Sequence, residues 1–193
     1  MLKSLDAKEA SRAKAFADKR GDGHCGIVAY EIHDSLGTHG KCYMTMPCLP
    51  STLEHISQLD AVSVAHLWDD IGGALDFLHA LGFAHSDVKP SNICVDGSGR
   101  FVLIDVGSLE TFGERTTSTR VYLPREVESG CASSATDWWM LAMTLAEKAC
   151  GADSLARGLG SVPPVSKVAL VELLRRHLAP EVQIPFFTKL TVK

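Results

Sequence analysis

Asp87, Lys89 and Asn92 stand close together in one short stretch of the chain, and Asp105 follows after a turn, with Gly107 two places on. These residue types suit phosphoryl transfer on a metal-bound nucleotide. Asp87 can accept the proton of an attacking hydroxyl, and Lys89 can neutralise a moving phosphoryl group. Asn92 and Asp105 offer the hard oxygen donors that Mg²⁺ takes. Read blandly, the same residues are incidental carboxylates and amides on a solvated turn. Their order and spacing together separate the two readings.

The elements that must position these groups follow from local pattern. Ala7 to Lys19 is rich in Ala, Lys, Arg and Glu and lacks Gly and Pro, so a helix is favoured until Asp22-Gly23 stops it. Ile27 to His33 and Lys41 to Met46 read as strands around the turn Asp34-Ser35-Leu36-Gly37. Pro47 to Pro50 breaks the pattern, and Ser51 or Thr52 can cap a short helix from Leu53. From Val62 to Leu81 the apolar residues Val64, Leu67, Trp68, Ile71, Leu75 and Leu78 recur at helical steps, and Gly82 ends the run. Ile93 to Val95 and Phe101 to Ile104 flank the hairpin turn Asp96-Gly97-Ser98-Gly99. Thr136 is the expected cap of a helix from Asp137 to about Ala149, closed by Gly151, and a further helix is expected from Ser166 to Leu178. No internal repeat appears, and no linker divides the chain into domains.

In this setting the motifs resemble those of the protein kinase family. His85-Ser86-Asp87-Val88-Lys89-Pro90-Ser91-Asn92 is similar to its catalytic loop H-R-D-L-K-P-x-N, with the Lys placed as in serine/threonine kinases. Asp105-Val106-Gly107 resembles the metal-binding D-F-G. Thr119-Arg120-Val121-Tyr122-Leu123-Pro124-Arg125-Glu126 is similar to the T-P-x-Y-x-A-P-E segment that closes the activation segment, and Asp137-Trp138-Trp139-Met140-Leu141-Ala142 to the D-x-W-S-x-G start of the long buried helix below the catalytic loop.

The resemblance implies an α+β, protein-kinase-like fold with a mainly helical C-lobe and a partial small β N-lobe. The expected organisation is a single N-terminally truncated kinase domain over residues 1–193, with 1–46 as partial N-lobe and 47–193 as hinge and C-lobe. ATP and Mg²⁺ are the implied cofactors, and a protein serine or threonine hydroxyl is the implied acceptor of the γ-phosphoryl group. Asp87, Lys89, Asn92, Asp105 and Thr119 are the implied catalytic residues, with Thr119 bonding the catalytic Asp and Lys, and Asn92 and Asp105 holding the metal and nucleotide. Met46 is the implied gatekeeper, Pro47 offers a carbonyl and Leu49 an N–H to adenine, and Cys94 forms the floor of that pocket. Asp137 is expected to hold the catalytic loop from below.

Departures from the family pattern carry their own expectations. The Gly-rich loop folded over the ATP phosphates, G-x-G-x-x-G, is expected to have no counterpart, because the chain begins after its place. Lys3 is either the remnant of the V-A-I-K lysine or a solvated charge, and Glu9 and Asp18 are alternative acidic partners for it. Ser86 replaces the Arg that receives an activation-loop phosphate, so switching by such a phosphate is not expected. Val106 replaces the Phe of D-F-G with less packing area. Arg125 replaces the Pro of A-P-E, and Arg175 and Arg176 are the candidates for a partner of Glu126. The missing Gly-rich loop favours an alternative, a catalytically weak pseudokinase or interaction module, and a fragment of a longer kinase is a further reading. A small-molecule phosphotransferase of aminoglycoside-kinase type shares the H-x-D…N loop, but Lys89-Pro90, the segment from Thr119 and the D-x-W helix oppose it.

Composition sets the surroundings. The 193 residues are 46% hydrophobic, enough for one sizeable core. A net charge of -4 makes nucleic acid an unexpected partner. Six cysteines occur without a C-x-x-C pair, as reduced thiols would. The first residues are charged without the apolar core of a signal peptide, and no apolar run reaches membrane-spanning length. An intracellular protein, cytoplasmic or nuclear, is expected, of unread oligomeric state.

Overall fold

The computed structural model describes residues 1–34, 42–115, 118–127, 130–151, 166–178 and 180–191. Strand β1 (Leu2–Leu5) runs directly into helix α1 (Ala7–Lys19), with Asp6 between them as cap. The Glu9 N–H donates to the Asp6 carboxylate at 2.8 Å, and the Asp6 N–H donates to the Glu9 carboxylate at 2.9 Å. This reciprocal capping satisfies two N–H groups that a helix start leaves free. Gly21, in the left-handed region at φ 56, turns the chain after Arg20.

Helix α1 buries Ala10, Ala13 and Phe16. The Phe16 ring stacks on Tyr30 at 6.4 Å and meets Phe83 edge-on at 5.7 Å, while the Tyr30 hydroxyl donates to the Ala13 carbonyl at 2.7 Å. Strands β2 (Glu31–His33) and β3 (Cys42–Thr45) complete an antiparallel sheet of order β1-β3-β2. Met44 in the middle strand lies opposite Lys3 on one side and Ile32 on the other. The β1 strand is a finding beyond the local pattern, because its hydrogen bonds come from a segment far along the chain. The expected strand from Ile27 is shorter than its pattern: Val28 donates to the Leu103 carbonyl and Leu103 to the Gly26 carbonyl instead. The turn after Asp34 lies outside the described residues.

The rest is built on helices. Strand β4 (Ser51–Thr52) leads through a 3₁₀ turn at Leu53–His55 to α2 (Ala61–Ala80), then β5 (Phe83–Ala84), β6 (Ile93–Val95), β7 (Phe101–Leu103) and β8 (Glu110–Thr111). These form the antiparallel sets β4-β6-β7 and β5-β8. Helices α3 (Ser134–Cys150), α4 (Lys167–His177) and α5 (Pro180–Thr191) follow. Every residue of α3 from Thr136 to Ala146 is buried, so it is the centre of the core rather than a helix with one wet face. Its cap is Ser133, not Thr136; the Thr136 side chain instead occupies the third helical position of a capping box, which places Asp137 inside the first turn. Gly151 at φ 78 ends the helix and Ser166 caps α4. Among the described residues no helix is long and apolar enough to cross a membrane.

The small antiparallel sheets and the dominant helices make this an α+β fold. At Gly26 the residues after α1 pass close against α2: a Cβ there would lie 2.7 Å from the Asp70 carbonyl oxygen and 3.1 Å from the Ala74 Cβ. Gly26→Ala should therefore lower stability by roughly 1–3 kcal/mol, the usual cost of overpacking. A urea midpoint unchanged from the parent would refute the close fit.

Candidate active site

The site is hung from Asp137. Its carboxylate is fully buried and accepts the N–H groups of His85 and Ser86, each at 2.8 Å, while His79 Nε2 lies 2.9 Å away. Two successive N–H groups can converge on one carboxylate because Ser86 adopts the left-handed conformation, φ 67, which is uncommon for a residue with a Cβ. His85 is itself buried, with Nε2 2.8 Å from the Ile104 carbonyl, and the Ile104 N–H donates to the Asn92 carbonyl at 2.9 Å. Ile104 immediately precedes Asp105, so the loop and the second acidic position are stitched into one backbone unit.

Within that unit Asp87, Lys89, Asn92 and Thr119 form a bonded cluster. Asp87 Oδ2 receives Lys89 Nζ at 2.7 Å and Asn92 Nδ2 at 3.0 Å; Oδ1 receives the Thr119 hydroxyl at 2.5 Å. Lys89 Nζ donates back to Thr119 Oγ1 at 3.0 Å, and Asn92 Nδ2 also reaches the Asp87 carbonyl at 2.8 Å. Burial works to raise the Asp87 pKa, but the bonds from Lys89 and Thr119 outweigh it and hold the carboxyl below its ordinary range. The carboxylate is therefore ionised at neutral pH and able to orient a hydroxyl. Tyr122 fastens the following segment to α3 through a 2.9 Å bond to Glu147, and burial first, then that carboxylate, pushes the phenol pKa well up.

A second cluster joins distant parts of the chain. Lys3 Nζ lies 3.0 Å from Glu9 and 2.6 Å from Asp105, each side chain being about one-third exposed. Burial lowers the Lys3 pKa, but the two carboxylates more than compensate and raise it. Asp105, like Ser86, is a left-handed residue with a side chain, at φ 62. Of the two acidic alternatives for Lys3, Glu9 is the one it meets. A Cβ on Gly107 would stand 3.1 Å from Lys3 Nζ and 3.2 Å from Glu9 Oε1, so a bare backbone leaves room for this convergence.

The residues expected around adenine lie elsewhere. Met46 and Cys94 are buried, Pro47 is exposed and Leu49 half-buried. Among the described residues neither the Pro47 carbonyl nor the Leu49 N–H has a protein partner. Burial, and then Cys48, push the Cys94 thiol pKa up, which keeps that wall uncharged. Met46 and Pro47 line an open hollow of about 420 Å³ with Arg20, Tyr30 and Thr45, and neither Asp87 nor Asp105 reaches it.

Other positions need correction or addition. Gly21-Asp22-Gly23-His24-Cys25-Gly26 has the G-x-G-x-x-G spacing, but it forms the turn after α1, where His24 stacks on Phe77 and Gly26 packs on α2. It covers none of the clusters above. Neither Arg175 nor Arg176 meets Glu126: Arg175 lies over the Phe187 ring and Arg176 pairs with Glu172, while exposed Glu126 accepts the Lys167 N–H at the start of α4 at 2.9 Å. No group of three or more His, Cys, Asp or Glu able to hold a metal occurs among the described residues. Mg²⁺ needs less, since one or two protein oxygens suffice beside phosphate and water. Asp105, partly exposed, and the side-chain carbonyl of Asn92 are such donors and fit it.

Comparison with known proteins bears on this geometry. A family model described as the protein kinase domain matches residues 14–162. The chain belongs to the protein kinase family. It is 35% identical over 88 residues to the serine/threonine-protein kinase AtPK1/AtPK6 of Arabidopsis thaliana, covering 42% of this chain and 19% of that one. It is 28% identical over 123 residues to the serine/threonine-protein kinase Sgk2 of Rattus norvegicus, covering 60% and 31%. A cAMP-dependent protein kinase catalytic subunit of Dictyostelium discoideum is 33% identical over 82 residues, covering 40% and 13%. The kinase chain thus spans under a third of the length of these relatives. Lys3 and Glu9 precede the matched kinase segment, and the β1–β3 pairing is what delivers them to Asp105.

Two measurements probe these clusters. Gly107→Ala should push Lys3 from its carboxylates, and the raised Lys3 pKa should then fall towards the ordinary lysine value in NMR titration of ¹³C-labelled lysines. An unmoved titration would show the contact to be dispensable. For Asp87 the folded pKa lies below the unfolded one, so its bonds stabilise the fold above the ordinary carboxylate pKa of about 4 and are lost as pH falls through the lower folded value. The stability gap between the parent and Asp87→Asn should be widest near neutral pH and close in acid. A gap independent of pH in denaturation curves would contradict this.

Proposed function

We propose that this chain is the catalytic part of a serine/threonine protein kinase, transferring the γ-phosphoryl group of ATP to a hydroxyl of a protein substrate. The observation that carries this reading is the closed contact among Asp87, Lys89 and Thr119, which pairs an ionised acceptor with a cation at hydrogen-bond distance. Asp87 orients the incoming hydroxyl and takes its proton, and Lys89, already within 2.7 Å, balances the charge on the transferred group. Lys3, held by Glu9, presents a cation to the nucleotide phosphates. Bound Mg²⁺, held by Asp105 and Asn92, supplies charge neutralisation across the phosphate oxygens. Met46, Pro47, Leu49 and Cys94 receive adenine, the unpartnered Pro47 carbonyl and Leu49 N–H serving as its acceptor and donor. In this reading residues 1–46 belong to the smaller lobe and the remainder to the hinge and larger lobe of one kinase domain.

A second reading, a nucleotide-binding or interaction module with little turnover, is favoured by one contact. Lys3 lies 2.6 Å from Asp105, so a cation and a metal-binding carboxylate are already joined and must part before phosphate and metal enter between them.

Purified protein with Mg²⁺ and γ-labelled ATP should label serine or threonine in a protein substrate, and Asp87→Asn should reduce the rate by about 10²- to 10⁴-fold. No labelling above that variant, in a folded preparation, sinks the transferase reading. Under the second reading Mg-ATP still raises the unfolding temperature of the parent, and labelling stays at the level of the variant.

A further inference from the structure

We infer that Arg12 and Glu110 are positioning residues: their buried ion pair holds α1 against the start of the activation segment, keeping Glu9 on Lys3 without any phosphorylated residue. The inference deepens the proposed transferase and rests on it for its link to turnover. Arg12 lies one helical turn beyond Glu9 on the same face of α1, so whatever fixes one fixes the other. Its guanidinium is ion-paired with Glu110 Oε1, with side-chain exposures of 15% and 6%, and Lys8 Nζ stands 3.9 Å from the same oxygen. Glu110 lies in β8, opposite Ala84 of β5, the strand that feeds directly into the His85 loop. The pair therefore spans from α1 to the catalytic backbone.

Its chemistry is that of a locator more than a stabiliser. Among the described residues Arg12 Nε is buried without a hydrogen-bond partner, and Glu110 has beside it the Glu114 carboxyl, a group of the same charge, which leaves part of their desolvation cost unanswered. Burial first, and then Glu114, push the Glu110 pKa up, against Arg12 and Lys8, which lower it. With the folded pKa above the unfolded one, ionising Glu110 subtracts stability as pH rises through it. A neutral isostere removes that cost but leaves the Arg12 guanidinium without its counter-ion, so the two effects oppose each other in the stability of the fold while the helix is freed.

The surroundings favour a fixed carboxylate over a phosphate. Ser86 stands where related catalytic loops carry an Arg, and its buried hydroxyl has no hydrogen-bond partner among the described residues. It lines a cavity of about 340 Å³ with Arg12, Glu110, Asp87 and Arg115. Glu9, Asp105 and Asp6 also face that cavity, so a phosphate entering it would meet five carboxylates against three cations, Lys8, Arg12 and Arg115.

The test compares the parent, Glu110→Gln and the exchange variant Arg12→Glu/Glu110→Arg, each with and without phosphatase treatment, by amide hydrogen exchange of α1, melting temperature and steady-state transfer kinetics. Glu110→Gln should melt close to the parent temperature yet exchange α1 amides about tenfold faster, the scale of coupling within one ion-pair network. Its kcat should fall by a similar factor with a smaller change in KM, and the exchange variant should recover most of both losses. Unchanged α1 exchange in Glu110→Gln, or parent exchange that rises on phosphatase treatment, overturns the inference. If the exchange variant does not fold, Glu110→Gln decides alone. Hydrogen exchange needs no turnover, so an inactive parent whose α1 loosens in Glu110→Gln keeps the tether and discards the transferase reading.

Discussion

A single buried carboxylate organises this chain. Asp137 has no contact with water, and the groups that answer its charge are two backbone N–H groups and one imidazole from α2 and the loop after it. An ion placed so deeply is tolerated only where donors converge on it, and here the convergence dictates the left-handed turn at Ser86. That turn sets the direction in which Asp87 leaves the backbone. Through His85 and Ile104 the same anchor fixes the approach to Asp105. The position of α3, buried on every side, is thereby converted into the position of side chains at the surface of the cleft.

Two kinds of assembly meet at the site. The cluster of Asp87, Lys89 and Asn92 is local, closed by Thr119, and can form once the loop is docked on α3. Lys3, Glu9 and Asp105 belong to an assembly of high sequence separation, with the Lys3–Asp105 contact spanning 102 positions. It depends on β1 pairing with β3, on the reach of α1 and on the empty space at Gly107. Contacts of the second kind bear the larger loop-closure cost, so they are the part of the site most exposed to loosening.

This division explains what is readable in the chain itself. The loop from His85 to Asn92, the helices at Ala7 and Val62 and the hairpin around Gly97 are legible because their determinants are neighbours in sequence: spacing, apolar periodicity and turn residues. Strand β1 is not, since four residues beginning Leu2 show no alternation that separates them from a charged chain end, and their partner is remote. For the same reason Lys3 reads as a solvated cation until Met44 is placed opposite it. Two-residue strands such as β5 and β8 carry too little pattern to be seen at all. The Gly21 to Gly26 stretch has the G-x-G-x-x-G spacing but not its use: its glycines serve a turn and a close helix contact. Glu126 eludes the pattern because the N–H it binds, at Lys167, is a backbone group with no sequence mark.

Glu9 holds two duties with one side chain. Oε1 faces Lys3 while Oε2 takes the Asp6 N–H that begins α1, and Asp6 alone separates that helix from the strand bearing Lys3. Swinging the helix outward would cost the cap and the ion pair in the same movement, because no slack intervenes to let one outlast the other. The upper cluster is consequently cooperative by construction, either assembled or dissolved as a unit, and an insertion or deletion of one residue between Asp6 and Glu9 would throw both contacts out of phase together.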